Sequence, residues 1–389
     1  MDDISKIIFE IGEHDEFISK PVVPPIYQSS NFSFEKVNDL RQAFRNENST
    51  VLYTRGNNPN VGILRKKIAA LAGADDALIV SSGASAISLA ILANVGSGDH
   101  ILCVQNPYSW TEKFCRVILS RFNVTSSFVL SENTNDFLSH VNENTRIIFV
   151  ESPNTFTFNI VDIAAIVAFA KQRGIVTIID NTYATPLGQR CIEMGVDIEI
   201  HSISKYLNGH SDIVAGAIIS NKKMIDKIYQ SEFLNIGTIV SPHDAWLILR
   251  GLRTLSIRLN AIGETTERVI AFLRSQSWVV KVLHPFESDF PDNQLAKFQM
   301  SWNGGLFSIL LQSDSIDKVE QFCEQLHFFK MAVSWGGHES LIMPACAFYD
   351  RDFSGKRKYP NNLVRIYIGL EHSDTLISDL TNAAKVFEK

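Results

Sequence analysis

From about Val61 onward, the chain alternates short apolar runs with segments of helical period. This alternation limits the possible folds more than any other feature. The apolar runs are strand candidates: Ala77–Ser81, His100–Val104, Ile147–Glu151, Val176–Asp180 and Asp197–Ser202. Helix candidates stand between them: Ile63–Ala72, Ala84–Ala93, Ser109–Ser120, Ile163–Arg173 and Pro186–Met194. The pattern predicts an α/β domain built on a mostly parallel sheet, whose ligands bind at the carboxyl ends of the strands.

Three regions are expected along the 389 residues, a length that suits two domains. Residues 1–60 are turn-rich and read as an arm that contacts a neighbouring subunit, or as a plain surface extension. Residues 61–245 form the α/β domain. Residues 246–389 read as a smaller α+β domain, with a helical region (Asp244–Gln276), two apolar alternations (Leu306–Leu311, Val364–Ile368) and a terminal helix from Asp374.

Composition excludes several classes of protein. A net charge of −6 without a basic stripe argues against nucleic acid as a partner. Five scattered cysteines without CxxC spacing predict neither disulfides nor zinc, and His201 and His210 lack metal-ligand spacing, so no metal is expected. The acidic start MDDISKIIFE is unlike a signal peptide, and the apolar stretch Ile160–Ala170 is too short to span a bilayer. We therefore expect a cytoplasmic protein.

A lysine stands where a buried strand is expected to end, in DIEIHSISKYLNGHSDIVAG (197–216). Burying an ammonium is costly, so Lys205 is either solvated or a Schiff-base lysine bound to an aldehyde cofactor. Asp180 ends another apolar run and is either a helix N-cap or the partner of a pyridinium nitrogen. One β–α–β step separates the two, so neighbouring strand ends could hold both ends of one ring.

Other polar residues fit the same ligand, each with a plain structural alternative. SSGASA, with Gly83 before a helix, suits a single phosphate or only a tight turn. Tyr108 could stack on a flat cofactor or pack in a core, and Tyr53 with Arg55 could bind phosphate or line a solvated turn. In VRIYIGLE, Arg365 is either a clamp for an α-carboxylate or a surface arginine.

Taken together, these residues resemble the Cys/Met-metabolism family of pyridoxal-phosphate enzymes, which includes cystathionine γ-synthase and cystathionine β-lyase. The resemblance runs from VVPPIYQSSNF (22–32) to VRIYIGLE (364–371), and SISKYLNGHSDIVAG (202–216) is its most specific block. It implies the fold type I of pyridoxal-phosphate-dependent transferases, with a large cofactor domain and a smaller C-terminal α+β domain. It also implies pyridoxal 5'-phosphate as cofactor, an amino-acid substrate and a homotetramer built from dimers.

The resemblance implies roles residue by residue. Lys205 forms the Schiff base, Asp180 pairs with the pyridine nitrogen and Tyr108 stacks on the ring; these three are the expected catalytic residues. The phosphate is expected to bind Gly83, the Ala84 amide, Ser202 and Ser204, with Tyr53 and Arg55 from the neighbouring subunit. Arg365 and Ser334 are expected to hold the substrate carboxylate, with Trp335 and Tyr108 also contacting the substrate.

The resemblance is closest to the bacterial cystathionine β-lyases, through SWGGHESL (334–341) and NPYSWTEKFCRVIL (106–119). Against it, Val333 stands where the β-lyases of that branch carry tyrosine, and GNNPN (56–60) is closer to the γ-enzymes. Thr155 replaces an asparagine common in the family. The loop MPACAFYDRDFSG (343–355) is expected to shape substrate choice. We expect β-elimination from cystathionine; the alternatives are γ-replacement or γ-elimination, or a non-catalytic protein that binds the cofactor or an amino acid.

Overall fold

The computed structural model describes residues 2–13, 21–130, 133–313, 315–348 and 358–388. Contacts between residues divide the chain into two compact units. Unit 1 comprises Met1–Ser152, Val161–Asn208 and Asp212–Thr254, and unit 2 comprises Pro153–Ile160, Gly209–Ser211 and Leu255–Lys389. The predicted division into residues 1–60, 61–245 and 246–389 stays a prediction, because these units are defined by contacts within one chain and not by independent folding.

Unit 1 is organised around a sheet whose strands, within the described residues, are β1 to β7. They are Asp76–Val80, His100–Val104, Thr125–Val129, Thr145–Glu151, Val176–Asp180, Ile198–Ser202 and Gly216–Ser220. The spatial order is β1-β7-β6-β5-β4-β2-β3, and β7 alone runs against its neighbours β1 and β6. This mostly parallel sheet with helices confirms the predicted α/β class.

The central strands form because their apolar side chains are buried on both faces, as in parallel sheets generally. The buried cluster includes Ile101, Phe149, Ile178 and Ile200, each with no exposed surface. Sequence analysis missed β3 and β7. The β3 sequence, TSSFV, lies at the sheet edge and is mostly polar, so it lacks the apolar pattern of a buried strand. The β7 sequence, GAIIS, directly follows a loop.

Helices of unit 1 surround these strands and are labelled α1 to α11. They are Asp2–Phe9, Val37–Arg45, Pro59–Ala72, Gly83–Leu92, Ser109–Lys113, Thr134–Ser139, Ile163–Arg173, Thr185–Gly188, Lys222–Ile228, Leu234–Ile236 and Pro242–Leu252. Short 3₁₀ segments (Glu47–Ser49, Leu119–Phe122) and π segments (Phe114–Ile118, Tyr229–Phe233) complete the unit. The predicted helix over Pro186–Met194 is wrong, because α8 ends at Gly188 and the amide of Gln189 turns inward to Asn181 Oδ1, 3.3 Å away.

Unit 2 contains a second, smaller sheet of order β10-β11-β12-β9-β8 in the described residues. Its strands β8 to β12 are Val279–Leu283, Leu306–Leu311, Lys330–Met331, Leu341–Pro344 and Leu363–Tyr367. Its helices α12 to α15 are Leu255–Arg274, Asn293–Gln299, Ile316–Glu324 and Ser373–Ala383, with 3₁₀ segments at Ala345–Ala347 and Ala384–Phe387. Val364 and Ile366 of β12 pack into the core formed with α14 and α15. The predicted α+β character of this region is therefore confirmed.

No helix in the part of the chain that the structure describes combines the length and the apolar character that crossing a bilayer requires.

Candidate active site

Asp180 is the last residue of β5, beside the ends of β4 and β6. Thr182 donates to Asp180 Oδ1 twice: its backbone N–H lies at 3.0 Å, and its hydroxyl makes a short hydrogen bond. Thr182 Oγ1 itself accepts the N–H of Ser202 at 2.8 Å, which ties β5 to β6. Both of these hydrogen bonds fall on the same carboxylate oxygen, Oδ1.

The charge of Asp180 depends on its surroundings. Burial raises the pKa of the carboxyl above its usual range, while the hydrogen bonds from Thr182 and the positive charges of His201 and Lys205 lower it. A carboxylate that burial makes costly is stabilised by a cation, and this is the environment that pairs with a protonated ring nitrogen.

Lys205 lies in the turn directly after β6, and its backbone N–H donates to Ser202 O at 3.1 Å. Its side chain is partly buried, close enough to Asp180 for the two charges to interact. The structure therefore brings together the two residues that sequence analysis placed on neighbouring strand ends. We call Gly83, Asp180, Ser202 and Lys205 the strand-end rim.

Gly83 begins α4 and packs against Ser202 on the strand-end rim. Helix α4 is capped by Ser82, whose hydroxyl accepts the N–H of Ser85 at 3.0 Å. A Cβ added at Gly83 would lie 2.8 Å from Cβ of Ser202, so glycine is needed for this approach. Ala84 is the second residue of the helix. A helix N-terminus brought this close to a strand end can bind a phosphate monoester.

Ser204 is bound to the backbone of the loop before β7. Its hydroxyl donates to Ala215 O at 3.2 Å and accepts the N–H of Ala215 at 3.0 Å. Its predicted role as a phosphate ligand stays a prediction, and it requires the hydroxyl proton to turn away from Ala215 O.

Tyr108 precedes α5 and is anchored by a residue that sequence analysis did not single out. Its backbone N–H donates to Glu151 Oε2 at 2.6 Å, and Glu151 lies beside Asp180 in the register of β4 and β5. Burial raises the pKa of the Tyr108 phenol, and the negative charges of Asp180 and Glu151 raise it further. The structure thus places Tyr108 near Asp180. One feature of the sequence could have identified Glu151: like Asp180, it ends an apolar strand.

A buried polar cluster beside Asp180 was also missed. Glu199 Oε1 lies 2.6 Å from His201 Nε2 and accepts the side-chain N–H of Asn181 at 2.8 Å. All three side chains are buried, and Asn181 directly follows Asp180. The charged residue in the apolar strand DIEIH was the signal, because a carboxylate at a core position must have partners.

Tyr53 and Arg55 lie in the turn before α3, where Tyr53 bridges to Asn31. The guanidinium carbon of Arg55 lies 5.6 Å from the centroid of the Tyr53 ring, and the Tyr53 side chain is exposed. Their assignment to the phosphate site of a neighbouring subunit stays a prediction.

In unit 2, Arg365 occupies the middle of β12 and is buried, so the surface-arginine alternative is wrong. Nη1 donates to Thr155 Oγ1 at 3.0 Å, and Nη2 donates to Ser334 O and contacts Met343 Sδ, both at 3.1 Å. The guanidinium carbon lies 4.7 Å from the centroid of the Phe156 ring. We call these five residues the arginine site.

Within the described residues, the guanidinium of Arg365 is a buried cation whose hydrogen-bond contacts are with neutral groups. Burial lowers the pKa of Arg365 to about 10, and no carboxylate pairs with it in the ranges the structure describes. A buried charge without a partner is costly, which favours an anionic ligand. Ser334 contributes its carbonyl and has a φ of 78°, and Trp335 follows it, partly buried. Residues 349–355 of the loop expected to shape substrate choice lie outside the described residues.

Comparison with known proteins identifies the family. The sequence profile described as Cys/Met metabolism PLP-dependent enzyme matches residues 6–385. The chain belongs to this family. It is 32% identical to an L-methionine gamma-lyase of Fusobacterium nucleatum subsp. polymorphum over 365 residues, covering 92% of this chain and 91% of the relative. It is 34% identical to a cystathionine beta-lyase of Lactococcus lactis subsp. cremoris over 363 residues, covering 92% and 93%.

A solved structure from Campylobacter jejuni, described as an O-acetylhomoserine (thiol)-lyase, has the same fold. It superimposes with a TM-score of 0.92 at 25% identity, covering 98% of this chain and 99% of that one, and it contains N'-pyridoxyl-lysine-5'-monophosphate. These findings confirm fold type I and pyridoxal 5'-phosphate as the cofactor. Carbon–sulfur lyases of sulfur amino acid metabolism are the activity class that the relatives share.

The residues of the strand-end rim fit this cofactor. The buried Asp180 carboxyl suits the ring nitrogen, Lys205 suits the aldehyde, and the N-terminus of α4, where Gly83 approaches Ser202, suits the phosphate. In the described ranges, no three His, Cys, Asp or Glu side chains form a group that could hold a metal ion.

Proposed function

We propose that this protein is a pyridoxal-phosphate-dependent lyase that cleaves cystathionine to homocysteine, pyruvate and ammonia. The observation that carries the proposal is the placement of Asp180 at the end of β5 and of Lys205 in the turn directly after the neighbouring strand β6, close enough for their charges to interact. An amine and a carboxylate on neighbouring strand ends are the two groups that a pyridine aldehyde requires.

The chain's own residues divide the work. When bound, the cofactor supplies an electron sink that stabilises negative charge at the substrate Cα. Asp180 would pair with the ring nitrogen, and Lys205 Nζ accepts the Cα proton as general base. Loss of that proton permits the Cβ–S bond to break, and homocysteine leaves as the thiolate. Water then hydrolyses the remaining three-carbon fragment to pyruvate and ammonia. Tyr108 stacks on the ring, and its raised pKa keeps the phenol neutral at pH 7.

Substrate binding is assigned to unit 2. Arg365 presents a planar fork that matches a carboxylate, and it is already desolvated. We assign the substrate α-carboxylate to Arg365 and Ser334, with Trp335 and Tyr108 as further substrate contacts. The phosphate is assigned to Gly83, the Ala84 amide, Ser202 and Ser204.

The choice of β-cleavage rests on SWGGHESL and NPYSW, which resemble the β-lyases, and on relatives such as the Lactococcus lactis enzyme. Cleavage at Cγ is the second candidate, favoured by relatives named L-methionine gamma-lyase and by GNNPN (56–60), which is closer to the γ-enzymes. It requires a second deprotonation, at Cβ, by the same lysine.

Product analysis separates the two candidates. Cystathionine, cysteine, methionine and an O-acylhomoserine are offered in parallel to the wild-type protein, with the Lys205→Ala variant as control. We expect pyruvate and homocysteine from cystathionine. The appearance of 2-oxobutyrate and cysteine would overturn β-cleavage in favour of γ-cleavage. A cofactor-loaded protein whose spectrum responds to none of these amino acids would overturn the enzyme assignment.

The assembly also belongs to this proposal. We propose a cytoplasmic homotetramer built from dimers, in which Tyr53 and Arg55 complete the phosphate site of the neighbouring subunit. Mixing two inactive variants, Lys205→Ala and Arg55→Ala, tests it. If active sites are shared across a dimer, each mixed dimer contains one site with both Lys205 and Arg55. Mixing should therefore restore part of the activity.

A further inference from the structure

One turn of unit 2, residues 154–158, has an unusual backbone. Phe156 and Phe158 have φ of 69° and 59°, a left-handed conformation that is uncommon for bulky side chains. Such strain persists only where the surroundings fix the residue, and it clusters at binding sites. The turn is held by Asn154, whose Oδ1 accepts the hydroxyl of Thr157 and the N–H of Asn159, each at 2.9 Å.

The strained turn presents two groups to Arg365. The Thr155 hydroxyl accepts from Nη1 at 3.0 Å, and the Phe156 ring lies 4.7 Å from the guanidinium carbon. Phe156 is 5% exposed, so its contact with the cation is largely desolvated, where such contacts are strongest.

The Phe156 ring is itself fixed from two other directions. It stacks on Tyr359, with centroids 4.7 Å apart and an interplanar angle of 26°. Phe348 meets it edge-on at 5.4 Å and 81°. Arg365, Tyr359 and Phe348 therefore all pack against the Phe156 ring. Because this ring belongs to the turn, a small movement of the turn would displace the guanidinium.

On its other side, Arg365 contacts Ser334 O and Met343 Sδ. Ser334 is also left-handed, with φ of 78°. Phe156 and Ser334, both in left-handed conformations, therefore contact the same guanidinium. All acceptors of its hydrogen bonds in the described residues are neutral, so the positive charge is oriented without being neutralised.

We infer that Thr155 and Phe156 are positioning residues that pre-organise Arg365 for the α-carboxylate of the amino-acid substrate. This inference rests on the proposed function of Arg365. A guanidinium fixed in advance loses less side-chain entropy when it binds a carboxylate, so the turn sets how strongly the protein prefers an amino acid to a simple amine.

Two probes that differ by one carboxylate test the inference. L-alanine and ethylamine are titrated into the cofactor-loaded protein, and binding is followed by the visible absorbance of the cofactor. The ratio of the ethylamine to the L-alanine dissociation constant measures what the carboxylate contributes. We expect Phe156→Leu and Thr155→Val each to lower this ratio about 10-fold, since each removes one desolvated contact to the cation. Thr155→Ser keeps the hydroxyl and should retain the wild-type ratio.

Phe322→Leu is the matched control. Phe322 is fully buried in unit 2, where it packs against Trp278 and Phe387. The same chemical change there should lower the melting temperature, as we also expect for Phe156→Leu, but leave the ratio unchanged. If Phe156→Leu fails to fold, the Thr155→Val and Thr155→Ser pair still decides.

The outcomes separate this inference from the proposed function. A ratio that stays at the wild-type value in Phe156→Leu and Thr155→Val but collapses in Arg365→Leu would overturn the positioning role and leave the role of Arg365 intact. A wild-type ratio near one would contradict carboxylate binding by Arg365 itself, and with it the inference.

Discussion

The strand-end rim of unit 1 and the arginine site of unit 2 are built by different means. The rim uses the regular register of β5 and β6, so Asp180 and Lys205 meet because neighbouring parallel strands end together. The arginine site places one residue of a regular strand, Arg365, against turns with left-handed backbones. If the proposed roles hold, the catalytic groups are positioned by ordinary sheet geometry, whereas the group proposed to bind the substrate carboxylate is held by residues with left-handed backbones.

This division predicts that changes in the rim lower kcat and changes in the arginine site raise KM. The largest effect is expected from Lys205→Ala, which removes both the anchor for the cofactor aldehyde and the general base. Turnover of cystathionine should fall by about 10⁴-fold, and the visible band of the lysine-bound cofactor should disappear. Lys222→Ala, an exposed lysine paired with Asp226 on α9, is the control and should behave as wild type. Retained turnover in Lys205→Ala would show that the strand-end rim does not supply the general base.

Asp180→Asn is expected to have the next largest effect. Asparagine can still accept both hydrogen bonds of Thr182, so the local geometry is kept while the negative charge is lost. We expect kcat to fall by about 10³-fold. KM should change little, because Arg365 is untouched. A variant with raised KM and unchanged kcat would reverse the roles assigned to the two regions. Asp136→Asn, at an exposed position of α6, provides the surface control.

A buried histidine of unit 2, His284, should make the stability of the protein sensitive to acid. His284 of unit 2 contacts Asn303 O through Nε2 at 2.6 Å and accepts the N–H of Phe286 at Nδ1. Burial lowers its pKa to about 4, partly offset by the hydrogen bond to Asn303. Between pH 6.5 and 4 the unfolded chain therefore binds a proton that the folded one does not, and stability falls as the pH is lowered.

The expected loss is about 3 kcal/mol of unfolding free energy across that range. Denaturant unfolding of the apoprotein at several pH values measures it. The His284→Gln variant should show a flatter pH dependence. An equal slope in wild type and variant would exclude His284 as the cause.

The smallest effect is expected from Gly83→Ala, which tests the close approach of α4 to the rim. The added methyl group would lie 2.8 Å from Cβ of Ser202, and overpacking of this kind costs about 1–3 kcal/mol. Gly96→Ala is the matched control, because an added Cβ there meets only Asp99 Oδ2 at 3.7 Å. Thermal unfolding and cofactor dissociation should change in the first variant alone. Equal behaviour would mean that the helix can move away from Ser202.

The strand-end rim could be predicted from the sequence more fully than the arginine site, because the rim depends on regular sheet geometry and the arginine site does not. The strands His100–Val104 and Val176–Asp180 have the bounds that their apolar patterns predict. The proximity of Asp180 and Lys205 also follows from pattern, because parallel strand ends meet at one edge. By contrast, nothing in ESPNTFTFNI indicates that Phe156 adopts a left-handed backbone or lies against Arg365, 209 residues later by their numbers. Such contacts depend on tertiary packing that local propensity does not encode.

Glu199 stands between these cases. Its carboxylate in an apolar strand signalled a partner, but only the fold identifies that partner as His201 and Asn181. The helix predicted over Pro186–Met194 failed for a related reason, since the buried contact of Gln189 with Asn181 outweighs helix propensity.

The attachment of the cofactor to Lys205 is the claim on which the rest depends. Borohydride reduction of the loaded protein fixes the bond between lysine and cofactor, and peptide mass spectrometry locates it. We expect a phosphopyridoxyl group on the peptide that contains Lys205. Its appearance on a different lysine, or its absence from all peptides of a protein that binds the cofactor, would show that Lys205 is not the attachment site.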